Sequence, residues 1–322
     1  MAPLRSVASV SPSATKLIQV VSGRLRRYLD GKPAVLRRAL TRGLLQAPSG
    51  TRAHRSDVGL PFWLLAPAWY LEGRNDRACL NDILFAQCCL FLTVRLHDDL
   101  IDGQTHGSWL ILAGDDLLIE AQDQLARHVE DAAYWSLFRR AARKTLHGIA
   151  EVDRLQTQPS GMPASSRRLY ASVAAILSVG VGAVFARTGR LAEYPMFERL
   201  FADLAIASQL LDDLEDVEED AARGRLNVAA TTLIGSRRLA SRCRDASVRR
   251  TILARKMLLD GRAAAVIDMA RGHAQRAART ASVMKFSPGV DYATRMAEQC
   301  ASVGDAAHRV RVDLLFAGVA GR

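Results

Sequence analysis

The chain has 322 residues and a formal charge of +11, nearly all of it from arginine because lysine is scarce. Almost half of the residues are apolar, enough for one large helical domain or two ordinary ones. The positive balance carries no zinc-finger spacing and no aromatic-rich basic patch of the kind that reads single strands, so a nucleic-acid partner is not expected. Ala, Leu and Arg are abundant and Pro is scarce, which favours helix. No period-2 alternation competes with that reading, and the expected fold class is all-α.

In chain order, the polar, Ser-rich start lacks an apolar core of the signal-peptide kind. Residues 7–46 read as one or two amphipathic helices, and 47–61 as a Gly/Pro/Ser-rich connection. The expected organisation is a helical arm over 1–60 and an α-bundle domain over 61–322. "NDRACLNDILFAQCCLFLTVRLHDDLID" reads as one long apolar helix ending in acids, closed by Gly103 and Gly107. "WLILAGDDLLIEAQDQLARHV" and "YWSLFRRAARKTLHGIAEVDRLQ" are the next two helices. The run 169–186 is long and apolar enough to span a bilayer, with Arg167, Arg168 and Arg187 at its ends. It stands alone and has the composition of a helix buried on every side, so no integral membrane segment is expected. Residues 194–224 form a long helix running into a second acidic cluster, and about three further helices finish the chain. Within that last part, the Arg-rich run 236–256 reads as a solvated helix face. Five cysteines, Cys79, Cys88, Cys89, Cys243 and Cys300, form no metal-ligand spacing and read as reduced thiols of a cytoplasmic protein.

Two stretches carry the chemistry. "RLHDDLID" places Asp98, Asp99 and Asp102 within five residues among Leu96, Leu100 and Ile101. On a helix, Asp98 and Asp102 share a face, about 6 Å apart along the axis. "LLDDLEDVEED" repeats the pattern at Asp212, Asp213 and Asp216, with Asp220 one turn further. Carboxylates this close repel unless a cation neutralises them. Oxygen donors with no His or Cys among them suit a hard cation such as magnesium, which keeps waters and is shared with substrate phosphates. The duplicated spacing at the ends of two apolar helices therefore points to a diphosphate held through metal ions.

These residues resemble the class I isoprenoid synthases. "LHDDLID" is similar to their first aspartate-rich motif, and "ILAGDDLLIEA" to the segment that follows it in trans-polyprenyl diphosphate synthases. "SQLLDDLEDVEEDAARGRLN" resembles the second motif of the polyprenyl synthases and also the Asp-x-x-Glu-Asp and Arg-Gly-Arg pattern of squalene and phytoene synthases. The resemblance implies an antiparallel helical bundle around a central apolar pocket, with the two acidic clusters facing each other. It implies three Mg2+ ions bridging Asp98, Asp99, Asp102, Asp212, Asp213, Asp216 and Asp220 to the diphosphate of an allylic prenyl substrate. It also implies arginines on that diphosphate: Arg225 by position in "RGRLN", Arg167 or Arg168 one long helix upstream of the second motif, and Arg95 beside the first. Gly180 and Gly182 then resemble the break in the helix that lines the pocket, and His97 a packing residue. A homodimer follows by analogy.

The pattern also departs from the chain-elongating enzymes. "DDLIDGQTHGSW" has no arginine after the first motif, and Ala171, Ser172 and Val173 stand near the position of those enzymes' Lys-Thr pair, with no Lys. The leading expectation is therefore a magnesium-dependent terpene synthase that ionises a C15 or C20 allylic diphosphate and cyclises or quenches the cation. The alternative is a prenyltransferase, either chain-elongating or head-to-head.

Overall fold

The computed structural model describes residues 12–34, 37, 62–71, 76–101, 107, 109–234 and 260–320. Among them are twelve α-helices and no strand: α1 Pro12–Asp30, α2 Phe62–Tyr70, α3 Arg77–Ile101, α4 Trp109–Ala126, α5 Ala132–Thr157, α6 Arg168–Val173, α7 Val179–Arg187, α8 Tyr194–Glu215, α9 Val217–Ala222, α10 Val228–Ile234, α11 Ala263–Val283 and α12 Ser287–Ala320. Short 3₁₀ turns at Ala164–Arg167, Ala175–Ser178 and Leu191–Glu193 link some of them. The expected Arg-rich helix 236–256, Cys243 and Asp102 lie outside the described residues.

Two compact units divide the chain: Met1–Lys144 with Ala175–Pro195, and Thr145–Ala174 with Met196–Arg322. In the first unit α3 is the hub. It has no interior Gly or Pro and buries residues all round its circumference, from Cys79 and Leu80 through Phe85 and Leu90 to Leu96. α1, α2, α4 and α7 pack against it. That surround explains a helix whose most apolar window would suffice to cross a membrane yet is 67% buried inside the protein. Each fully buried Leu or Ile here contributes about 1.5–3 kcal/mol relative to exposure. α1 adds polar ties: Arg24 pairs with Asp82, which also meets His128 Nε2 at 2.6 Å, and Tyr28 Oη donates to Asp116 Oδ2 at 2.5 Å.

Helix α4 comes close to α3 because Gly114 lacks a side chain. A Cβ there would lie 2.7 Å from His97 Nε2, and the bare Gly114 carbonyl sits 3.1 Å from the Thr93 hydroxyl. The "AG" of "ILAGDD" is thus the seat of the His97 ring.

The apolar run 167–187, expected as one buried helix, is broken. α6 ends at Val173, a 3₁₀ turn follows, and α7 begins at Val179. The break falls upstream of Gly180 and Gly182, which lie inside α7. Its carbonyls find distant partners: in the first unit the buried Gln87 amide donates to Leu177 O at 2.7 Å, and in the second Thr145 Oγ1 donates to Ser172 O at 3.2 Å. Gly180 leaves room for Gln87, whose side-chain carbon would lie 2.6 Å from a Cβ.

The second unit is built on α8, α10, α11 and α12. A three-residue turn joins α11 to α12, and the two pack along their lengths, an antiparallel helical hairpin. Its core gathers Met162, Tyr170, Leu210, Leu214, Val228, Leu233 and Val266. Cys79, Cys89 and Cys300 are buried free thiols and Cys88 is half-buried.

Candidate functional site

The second cluster does not sit on one uninterrupted helix. Asp212 and Asp213 occupy the last turn of α8, Asp216 is the junction residue with φ −94° and ψ 4°, and Asp220 lies on α9. Helical bonding nearly continues through the junction: Asp216 N donates to Asp212 O and Asp220 N to Asp216 O, each at 2.9 Å.

Asp213 shares the inward face of α8 with Leu210 and Leu214 and is 2% exposed. A buried carboxylate needs partners. Tyr170 Oη donates to its Oδ2 at 2.5 Å, the Val228 backbone N–H to the same oxygen at 3.1 Å, and Gln209 Nε2 to Oδ1 at 3.4 Å. Burial pushes this acid up to about 7 against the pull of Tyr170 and Gln209, and the charges of Asp220 and Asp212 add to the rise. Asn227, fully buried, completes the arrangement. Its Nδ2 donates to Asp213 O at 3.0 Å and to Asp220 Oδ2 at 2.8 Å, while its Oδ1 accepts from Ala230 N at 2.8 Å. That last bond caps the N-terminus of α10. Asp212 and Asp216 are half-exposed. The expectation that Asp213 is a metal ligand thus meets a carboxylate already committed to protein donors, whereas Asp212 and Asp216 lie nearer to solvent.

The expected diphosphate arginines are placed as follows. Arg225 is 8% exposed. Its guanidinium meets Asp153 Oδ1 at 2.8 Å and donates to Gln156 Oε1 from Nε and Nη2 at 3.2 and 2.9 Å. Leu226 N donates to Gln156 O at 2.8 Å, and Met162 N to Leu226 O at 2.9 Å. The "RGRLN" segment is therefore docked on the end of α5 and the loop after it. Arg167 donates from Nε to His273 Nε2 at 3.1 Å and from Nη1 to Ala164 O at 2.6 Å. An accepting Nε2 puts the His273 proton on Nδ1, which faces Asp203 Oδ1 at 2.6 Å. Arg168 is exposed.

At the first cluster, Asp98 and Asp99 are half-buried on the last turn of α3. Asp99 Oδ1 lies 3.1 Å from Arg95 Nε, one turn back, without an aligned hydrogen bond. Burial raises the Asp99 acid and Arg95 offsets part of the rise. A buried carboxylate oxygen with so little compensation, among oxygen donors only, fits a hard cation. Among the described residues no group of three or more His, Cys, Asp or Glu side chains is gathered as a ready metal cage. Like charges do not converge without a counter-ion, and magnesium uses one or two carboxylates with waters and phosphates in place of an all-protein cage.

No family model matches the chain, and no curated protein matches its sequence. Solved structures do. A heptaprenyl diphosphate synthase from Staphylococcus aureus is 14% identical with a TM-score of 0.67, covering 88% of this chain and 98% of its own. A polyprenyl synthetase from Streptomyces coelicolor A3(2) is 16% identical with a TM-score of 0.61, covering 89% and 98%. An isoprenoid synthase family member from Thermotoga neapolitana is 16% identical with a TM-score of 0.56, covering 90% and 99%. The chain has the isoprenoid synthase fold. At such identities the likeness is one of backbone, and the expected all-α architecture is the one found.

Within the isoprenoid synthase fold, several residues of the second unit were not marked by the sequence. Tyr170, Asp153, Gln156, Asp203 and His273 belong to no motif and meet their partners only through folding. Asn227 left one trace: an Asn directly before "VAATTL" is a helix-start signal.

Proposed function

We propose that this chain is a magnesium-dependent enzyme that ionises an allylic prenyl diphosphate, and that it uses the resulting cation for prenyl transfer. The observation that supports the reading is the pairing of the isoprenoid synthase fold with two Asp-Asp-x-x-Asp clusters, each beginning at the C-terminal end of a long helix, α3 and α8. The likeness to a heptaprenyl diphosphate synthase and a polyprenyl synthetase favours transfer to a second prenyl unit over cyclisation.

Magnesium, when bound with the substrate, neutralises the diphosphate and stabilises the charge that builds on it as it departs. The chain supplies the oxygen donors: Asp98, Asp99 and Asp102 from the first cluster, and Asp212, Asp216 and Asp220 from the second. Asp213 holds the second cluster in place from inside the core. Arg225 and Arg167 bond Asp153, Gln156 and His273; the arginines proposed to meet the anion are Arg168, which is exposed, and Arg95, which lies beside Asp99.

A terpene synthase is the second reading. It is favoured by the absence of arginine in "DDLIDGQTHGSW" and by Ala171, Ser172 and Val173, with no Lys among them, standing near the position of the Lys-Thr pair of the chain-elongating enzymes. Incubation of the purified protein and magnesium with geranyl, farnesyl or geranylgeranyl diphosphate, with and without isopentenyl diphosphate, separates the two. A longer diphosphate that forms only with isopentenyl diphosphate establishes transfer, and a hydrocarbon or alcohol from the allylic substrate alone establishes the second reading. Asp98→Asn and Asp212→Asn each lower pyrophosphate release by about 100-fold or more, in proportion to the electrostatic stabilisation removed. Undiminished release in both variants removes the metal argument altogether.

A further inference from the structure

Asp213 is anchored by a hydroxyl that belongs to neither acidic motif. Tyr170 lies 43 residues upstream of it on α6, and α6 is itself held from outside, its Ser172 carbonyl accepting from Thr145 Oγ1 of α5 at 3.2 Å. The Tyr170 ring is 4% exposed and packs in the same core as Leu210 and Leu214, so its direction is fixed by packing before its hydroxyl is considered. Because Tyr170 Oη and Val228 N–H both converge on Oδ2 of Asp213, the carboxylate is gripped from α6 on one side and from the start of α10 on the other. Asn227 ties the Asp213 carbonyl to the Asp220 carboxylate. Any rotation of the last turn of α8 would break this grip. Asp212, the preceding residue, and Asp216, one turn on, rotate with that turn.

Resting on the reading that Asp212 and Asp216 bind magnesium, we propose that Tyr170 is a positioning residue. Through Asp213 it sets the angle at which the last turn of α8 presents those two carboxylates. It touches neither metal nor substrate. Partners that orient a metal ligand from behind are worth about 10- to 100-fold in metal affinity, and that is the effect expected of the Tyr170 hydroxyl.

Tyr170→Phe keeps the ring and removes the grip. The full-length protein is titrated calorimetrically with magnesium in the presence of inorganic pyrophosphate, without substrate, and the magnesium dependence of turnover is measured in parallel. The variant is expected to need about 10- to 100-fold more magnesium for half-saturation while turnover at saturating magnesium stays within several-fold of the parent, a split that a general loss of packing would not produce. Asp212→Asn serves as the control. A parent that binds pyrophosphate with magnesium, together with a Tyr170→Phe variant of identical magnesium dependence, overturns the positioning role alone. A parent with no magnesium-dependent binding, matched by Asp212→Asn, overturns the metal reading and this proposal with it. If far-UV circular dichroism shows that Tyr170→Phe does not fold, Asp213→Asn carries the test. It keeps an acceptor for Tyr170 and Val228, so its magnesium affinity stays within several-fold of the parent. A loss as large as that of Asp212→Asn would make Asp213 a ligand and refute the anchor.

Discussion

At the end of α3, Asp99 lies 3.1 Å from Arg95 of its own helix. At the end of α8, Asp213 is met by Tyr170, Gln209 and the Val228 backbone, and Asn227 bonds the same turn to Asp220. Both clusters begin with the same Asp-Asp-x-x-Asp spacing. Asp99 is met from its own helix, Asp213 by residues gathered from α6, α8 and the start of α10. The difference teaches that identical spacing along a helix sets where carboxylates start, while their final angles depend on what packs behind them. The dense support of Asp213 comes with a buried acid pushed up to about 7.

Removing one support from each cluster tests this contrast most strongly. Asn227→Ala deletes three hydrogen bonds and strips a donor from a buried turn. It should cost about 2–5 kcal/mol in denaturant unfolding, because unsatisfied buried groups are expensive. Arg95→Ala removes a half-exposed pair within one helix and should cost no more than about 1 kcal/mol. Comparable losses in the two variants would break the contrast. A smaller effect comes from the packing that supports the first cluster. Gly114→Ala drives a methyl group into the His97 ring and should destabilise by about 1–3 kcal/mol. The double variant with His97→Ala should recover much of that loss in a thermal melt; no recovery would show that the ring is not what the glycine accommodates.

The smallest effect is a pH dependence elsewhere on α3. Burial alone would raise Asp82, but hydrogen bonds from Arg24 and His128 outweigh it and hold the acid below its ordinary value. A carboxylate depressed by folding contributes stability above its unfolded pKa of about 3.9 and loses it as pH falls through the folded value. The melting midpoint should therefore drop between pH 5 and pH 3, and Asp82→Asn should flatten that drop. An unchanged slope would mean that the tie from α1 carries no net electrostatic stability.

Much of this molecule was legible as a string. Helical character follows from local composition and from the scarcity of Pro, so α3, α4, α5 and α8 lie close to where their patterns put them. The spacing of Asp98 and Asp99, and of Asp212, Asp213 and Asp216, is likewise local, since a helix converts separation in sequence directly into direction. The break in 167–187 was not legible. An apolar run without Pro reads as continuous helix, and its interruption is stabilised by Gln87 and Thr145, which reach the Leu177 and Ser172 carbonyls from other helices.

The individual roles of the acids were not legible either. Asp212 and Asp213 are identical neighbours in the string, yet one is half-exposed and the other sits in the core, because a helix turns about 100° per residue and only packing decides which side faces inward. Sequence alone determined the helical class and the residue types available for chemistry. Tertiary structure alone decided which carboxylates were already spoken for, since the partners that claim them stand tens of residues away and become neighbours only through folding.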